Sequence, residues 1–232
     1  MRKDFGPQTW VYPMPVLIIG TYDENGNPNA MNAAWGGIYD YNQIMICLSK
    51  HKTTDNIRKN KAFTISFATV STVTASDYVG IVSQNKEPDK IIKAGLKQEK
   101  ASKVNAPIFT NYPLRLECEV VDIINEGEGG GNIIGKIVNV SADESILTNG
   151  KIDYKKLQPI VFDPVSLKYI SLGEQVADAF KEGLKLKYKR ALSSFIFLAS
   201  PFLWRIQAAF LLPCQKISKS LFHRSFHQAS IL

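Results

Sequence analysis

Six short runs of apolar, mostly β-branched residues punctuate the chain, and most are bounded by turn-forming residues. The first, Val16–Tyr22 (VLIIGTY), is closed by Asn25-Gly26, the strongest short-range hairpin signal. Ile44–Ser49, Phe63–Ala68, Leu114–Ile123, Ile133–Val140 and Lys168–Gly173 follow as further strands. The run from Leu114 alternates, with Leu114, Leu116, Cys118 and Val120 on one face and Arg115, Glu117 and Glu119 on the other. That pattern predicts an antiparallel sheet with one wetted face. Helical spacing fits Thr53–Lys61, Glu87–Leu96 and Leu172–Gly183, the last with Val176, Ala179 and Phe180 on one stripe. Several closely spaced strands with small interposed helices predict a mainly β fold, a β-barrel with short helices.

The segment NPNAMNAAWGG, Asn27 to Gly37, strings small and polar residues where a tight backbone is expected. Small side chains at Ala30, Ala33, Ala34, Gly36 and Gly37 would let a flat ring approach the main chain. The amides of Asn29 and Asn32 could bond a heterocycle edge. A plain turn with Trp35 in the core explains the same residues.

A second cluster, SKHKTTDNI (Ser49–Ile57), joins a strand to a helix start. Free N–H groups there, the hydroxyls of Ser49, Thr53 and Thr54, and Lys50 and Lys52 would form a monophosphate seat. Thr54 as an ordinary N-cap is the competing reading. A third stretch, Ser76–Lys90 (SDYVGIVSQNKEPDK), places Ser83, Lys86 and Lys90 in what reads as a polar, solvated loop before a helix.

Charge matters here through its position. Seven cations and no acid lie between Lys187 and Leu232, so the formal +7 belongs to the tail and residues 1–186 are neutral. Nucleic acid is therefore not expected as a partner of the main domain. The tail, residues 189–232, holds the long apolar run Ala191–Pro213, interrupted by Pro201, Arg205 and Gln207. A membrane span, a surface-lying amphipathic segment and a sequence unrelated to the domain are all compatible with it. The N-terminus has no apolar h-region and Cys47, Cys118 and Cys214 are odd and scattered, so a reducing, cytoplasmic setting is expected. Cys47 and Cys118 read as core residues of strands.

Before Tyr188 the only His is His51, no Ser sits in a G-x-S-x-G elbow, and GEGGGN (Gly127–Asn132) is neither a Walker loop nor a dinucleotide fingerprint. It reads as a flexible hairpin connection. Side chains alone offer little catalytic machinery, which points to a bound cofactor.

Taken in order, the three stretches resemble the flavin reductase family of FMN-binding split barrels, close to its flavoredoxin branch. Ala101–Phe109 (ASKVNAPIF), Leu116–Ile123, Ile133–Glu144 (IIGKIVNVSADE), Leu157–Pro164 and Tyr169–Phe180 look like later pieces of that family. The likeness runs over about residues 8–188, giving a domain at 1–188 followed by the tail. It implies a homodimer of split barrels holding FMN near the subunit interface. Asn29, Ala30, Met31, Asn32 and Trp35 would line the isoalloxazine and ribityl chain. Ser49, Lys50, Lys52, Thr53 and Thr54 would take the ribityl and phosphate, and Ser83 and Lys90 would close the site. Where relatives often carry Ser-Gly, this chain has Ser83-Gln84, and GEGGGNIIGK stands where relatives often carry a His. The resemblance implies an NAD(P)H:flavin oxidoreductase that passes electrons to a flavin, metal or protein acceptor. Two alternatives stand beside it: a flavoredoxin-type electron carrier without nicotinamide activity, and a membrane-attached protein with a passive barrel.

Overall fold

In the computed structural model, residues 1–124 and 127–187 are described. The chain divides into two compact units, Met1–Glu174 and Gln175–Leu232. The first contains a seven-stranded antiparallel sheet built from β1 (Leu17–Tyr22), β2 (Pro28–Ala33), β3 (Gly36–Asp40), β4 (Gln43–Leu48), β5 (Ala62–Phe67), β6 (Leu114–Ile124) and β7 (Gly131–Ala142). Their spatial order is β2-β1-β5-β6-β7-β4-β3. The two edge strands, β2 and β3, are consecutive in sequence and joined only by Ala34 and Trp35. Three Cα steps span at most about 11 Å, so the sheet has to curl until its edges nearly meet. The product is a barrel split at Trp35.

The curl also explains the composition of β1. Leu17 and Ile19 enter the barrel interior with Met31, Ala33, Ile44, Ile46, Leu48, Ile57, Phe63, Ile65, Leu116, Cys118 and Ile133. Ile18 faces the other way, into a second cluster with Ala30, Val79, Ile91, Leu96, Phe109 and Tyr112. A strand buried on both faces reads as a continuous apolar run, as VLII does. The β1–β2 turn is held by Asp23, whose Oδ1 accepts the N–H groups of Asn25 and Asn27, while Gly26 supplies the positive φ of +80°.

Three helices flank the sheet: α1 (Lys52–Asn60), α2 (Val73–Ile81) and the single-turn α3 (Lys90–Lys93). In α1, Thr53, Asn56 and Ile57 are buried. Their spacing, continued by half-buried Asn60, makes one helical face. Asn56 Nδ2 donates to Thr21 Oγ1 at 3.0 Å and Asn60 Nδ2 to the Tyr22 carbonyl at 2.7 Å, fixing α1 along the hairpin. Asp55 in the first turn and Arg58 and Lys59 in the last complement the helix dipole. Smaller ladders join Met14–Pro15, Ile160–Asp163 and Lys168–Ser171, and Gln98–Lys100 with Pro107–Phe109.

Several expectations change. The segment Asn27–Gly37 is not a tight turn: most of it is β2, the second arm of the hairpin. The stretch expected as a loop from Ser76 is α2 up to Ile81, which sequence pattern missed because Val and Thr dilute the helical signal. The helix expected at 87–96 shrinks to α3. Leu172–Asp178 carries no helix, and turns occupy 179–183. Val176 and Phe180 are fully exposed there, and a helix of this length is marginal in water without an apolar surface to bury. Glu117 leaves the wetted face and is 1 % exposed, accepting bonds from Ser102 Oγ, Lys103 N–H and Asn139 Nδ2. Burial pushes this carboxyl up, but those donors outweigh it and leave the pKa below its usual value. Cys118 is core, its thiol pushed up to about 12 by burial, whereas Cys47 is exposed. The Gly-rich connection is held at Gly129 and Gly130, whose carbonyls accept from Arg58 at 2.7 and 2.8 Å. Among the described residues no helix is long and apolar enough to cross a membrane. The apolar run at 191–213 and Cys214 lie outside the described residues.

Candidate functional site

Where α1 begins, β2 passes its N-terminus and the C-terminal end of α2 covers both. Together they enclose a slot of about 180 Å³ lined by Asn29, Met31, His51, Lys52, Thr53, Val79–Val82, Ser83, Gln84 and Lys90. The first bond of α1 is Asp55 N–H to the His51 carbonyl, 3.2 Å. The N–H groups of Lys52, Thr53 and Thr54 therefore precede the helical ladder, and the positive end of the helix dipole faces the slot.

Asn29 is the centre of this wall. It is 1 % exposed, and its Nδ2 donates to Thr53 Oγ1 at 2.8 Å. Its Oδ1 is buried with no hydrogen-bond partner. A buried acceptor left open costs about 1–3 kcal/mol, so a ligand donor at this point is the arrangement that would satisfy it.

Lys90 closes the far side. The side chain is 3 % exposed, and Nζ donates to the carbonyls of Val79 (3.2 Å) and Val82 (2.8 Å), at the open C-terminal end of α2. Burial pulls its pKa down to about 8, so near that pH it can bind as cation or neutral amine. It is not the solvated loop residue that its sequence context suggested. Helix α2 presses on β2 closely enough that a Cβ at Gly80 would lie 2.9 Å from Asn32 Cβ.

Of the twelve residues singled out in the sequence, Asn29, Met31, Lys52, Thr53, Ser83 and Lys90 converge on this slot. Trp35 and Ser49 line a separate open groove of about 560 Å³ with Cys47, Gly127 and Gly130–Asn132. A 2.9 Å bond between Ser49 Oγ and His51 Nε2 links the two depressions. The remaining four take other places. Ala30 is packed in the outer core cluster. Asn32 Nδ2 bonds the Ser76 carbonyl and Tyr169 Oη, tying β2 to α2. Tyr169 donates in turn to Asp77, and burial together with that bond pushes its pKa up to about 12. Thr54 is fully buried and donates to the Ser49 carbonyl at 2.8 Å. The N-cap is His51, so Thr54 secures the loop ahead of the helix. Lys50 is exposed and lies along Gly129. Sequence reasoning missed the α2 contribution, Val79 to Val82, for the reason that it missed α2.

The split β-barrel thus carries a cationic slot lined by free backbone N–H groups at a helix N-terminus. The comparisons narrow the class. The profile described as flavin reductase like domain matches residues 10–162, and the chain belongs to that family. Flavoredoxin of Desulfovibrio vulgaris (Miyazaki F) is 37% identical, with 79% of this chain and 100% of that one covered at a TM-score of 0.74. A flavoredoxin from Methanosarcina acetivorans is 26% identical, with coverage of 80% and 99% and a TM-score of 0.74. Nitrilotriacetate monooxygenase component B of Bacillus cereus, at 20% identity and a TM-score of 0.64 over 72% of this chain and 88% of that one, shares the fold.

Proposed function

We propose that this protein binds FMN and works as a redox flavoprotein. The observation that carries the reading is the convergence of Lys52, Thr53, Lys90 and the unpartnered Asn29 Oδ1 on one slot at the start of α1. The phosphate end would take the N–H groups of Lys52 to Thr54, the Lys52 ammonium and the Thr53 hydroxyl. Asn29 Oδ1 would accept from a ribityl hydroxyl. Lys90 would supply positive charge from beneath. A slot of 180 Å³ is smaller than the roughly 300–1,000 Å³ that encloses a whole small-molecule ligand, so it suits one end of FMN. The ring would then lie outside it, toward half-exposed Trp35 at the barrel seam, with the second subunit of a homodimer completing its enclosure. When bound, FMN supplies hydride and single-electron chemistry. The chain's part is to position it, exclude water from its phosphate end and balance negative charge.

The preferred activity is NAD(P)H:flavin oxidoreductase, delivering electrons to a second flavin, a metal centre or a protein. The 37% identity to a flavoredoxin favours a second reading, an electron carrier reduced by another redox protein. One experiment separates them. The full-length protein is loaded with FMN, and its visible spectrum is followed anaerobically with NADH, NADPH and a reduced ferredoxin-type donor. Bleaching by a nicotinamide supports the reductase, and bleaching by the protein donor alone supports the carrier. Failure to retain FMN refutes both. Sedimentation of the full-length protein with membranes would revive the membrane-attached alternative.

A further inference from the structure

Gln84 stands between two cavities. It lines the slot at the start of α1, and it also lines a groove of about 490 Å³ on its other side. Lys52 is the other slot residue the two cavities share. The Gln84 side chain crosses from the loop after α2 to the start of β2, where Nε2 donates to the Pro28 carbonyl at 2.9 Å. That bond assigns the amide, since a carbonyl can only accept, and leaves Oε1 as the other end. Oε1 is buried and has no partner.

The groove beyond it has its own chemistry. Pro28, Pro88, Ile91, Ile92 and Leu96 offer apolar surface for a planar base. Asp23, Asn27, Asn85, Asp89 and Gln98 offer acceptors and amides suited to ribose hydroxyls and an exocyclic amine. The groove is thus nucleoside-sized and nucleoside-like, next to the end of the slot assigned above to a phosphate.

Resting on that FMN assignment, we propose that Gln84 sets the length of the cofactor. Its amide bridge to Pro28 ends the slot after one phosphate and so selects the flavin mononucleotide against its adenylated dinucleotide. A dinucleotide would have to thread its second phosphate through the bridge and break the Gln84–Pro28 bond. It would also set phosphodiester oxygens, all acceptors, against an Oε1 that already lacks a donor.

The test is titration of the full-length apoprotein with FMN and FAD, read by flavin fluorescence, for the wild type, Gln84→Ala and Gln84→Leu. The wild type is expected to prefer FMN by about 10- to 100-fold, the scale of an unmade hydrogen bond and an unpaired acceptor. Gln84→Ala removes the bridge and is expected to cut that preference to under about fivefold through tighter FAD binding, with FMN changed less than about threefold. Gln84→Leu keeps the bulk but removes both the bridge to Pro28 and the open acceptor, and is expected to lose most of the preference as Gln84→Ala does. An unchanged ratio in Gln84→Ala, or equal weakening of both flavins, overturns the inference. Equal affinities in the wild type overturn it without any variant, should Gln84→Ala fail to fold, and leave the FMN reading intact. Binding of neither flavin by the wild type removes that reading and this inference together.

Discussion

Replacing Asn29 with Leu separates a ligand-binding amide from a structural one. Leu has the same branched shape with two methyls in place of the amide atoms, and the slot beside Asn29 takes up the added volume. The folded protein loses the 2.8 Å bond from Asn29 Nδ2 to Thr53 Oγ1, worth about 0.5–1.5 kcal/mol. The 3.5 Å contact to Thr21 Oγ1 is at the limit of a hydrogen bond and adds little. Thr53 keeps a rotatable hydroxyl that can find another partner. Against this loss, the substitution removes a buried acceptor without a partner, a penalty of about 1–3 kcal/mol. The balance predicts an apoprotein as stable as the wild type or more so by about 1 kcal/mol, a rise of about 2–4 °C in Tm for a chain of this size. FMN should lose its contact to Oδ1, weakening by about 5- to 30-fold, the equivalent of about 1–2 kcal/mol. Differential scanning calorimetry and flavin fluorescence titration measure the two halves. A Tm drop of more than about 4 °C with FMN affinity unchanged would refute the reasoning and make Asn29 a purely structural residue.

Lys90 gives a pH signature. Its folded pKa of about 8 lies below the ordinary 10.5, so between these values the unfolded chain binds more protons and this group makes stability rise with pH. An anion in the slot favours the charged form, so FMN affinity should be flat below pH 8 and fall by up to about tenfold per unit above it. Titrations from pH 7 to 9.5 check this, and a flat profile in the wild type would contradict it. Glu117→Gln should destabilise by about 1–3 kcal/mol, because an amide nitrogen must face Ser102, Lys103 N–H or Asn139, all donors in the native site. Thermal melts at pH 7 read that cost. They should also show, when repeated at lower pH, the Glu117 contribution lost as pH falls through its lowered carboxyl pKa, a loss that the Glu117→Gln variant cannot undergo. Gly80→Ala places a Cβ 2.9 Å from Asn32 Cβ and should shift α2 off β2, costing about 1–3 kcal/mol and weakening FMN binding at the slot that α2 covers. Calorimetry with and without FMN tests both effects.

Five of the seven barrel strands were legible because each has a signal confined to its own residues, whereas β2 and β3, rich in small and polar residues, were not. VLII is apolar on both faces, Asn25-Gly26 announces its hairpin, and Leu114 to Val120 alternates. The start of α1 was legible through the hydroxyls and lysines around Thr53. What stayed hidden depends on long-range packing. Val and Thr in α2 are poor helix formers, and the helix exists because Val79 joins the outer core cluster and Asn32 and Tyr169 bond across to Ser76 and Asp77. Lys90 looked solvated because nothing beside it in sequence shows that the end of α2 folds over it. Glu117 followed a perfect alternation, and only the distant Ser102–Lys103 and Asn139 explain its burial. Cys47 looked like core for the opposite reason: its strand is apolar, but this position faces the open groove with Trp35.

The central claim, that the slot at the start of α1 seats a phosphate, is tested most directly by comparing FMN with riboflavin, which lacks only that group. Fluorescence titration of the full-length protein should show FMN bound at least about 100-fold more tightly, the scale of several charge-assisted hydrogen bonds, with the gap narrowed by about tenfold in Lys52→Ala, which keeps the backbone N–H groups and Thr53. Equal affinity for the two flavins would contradict the account.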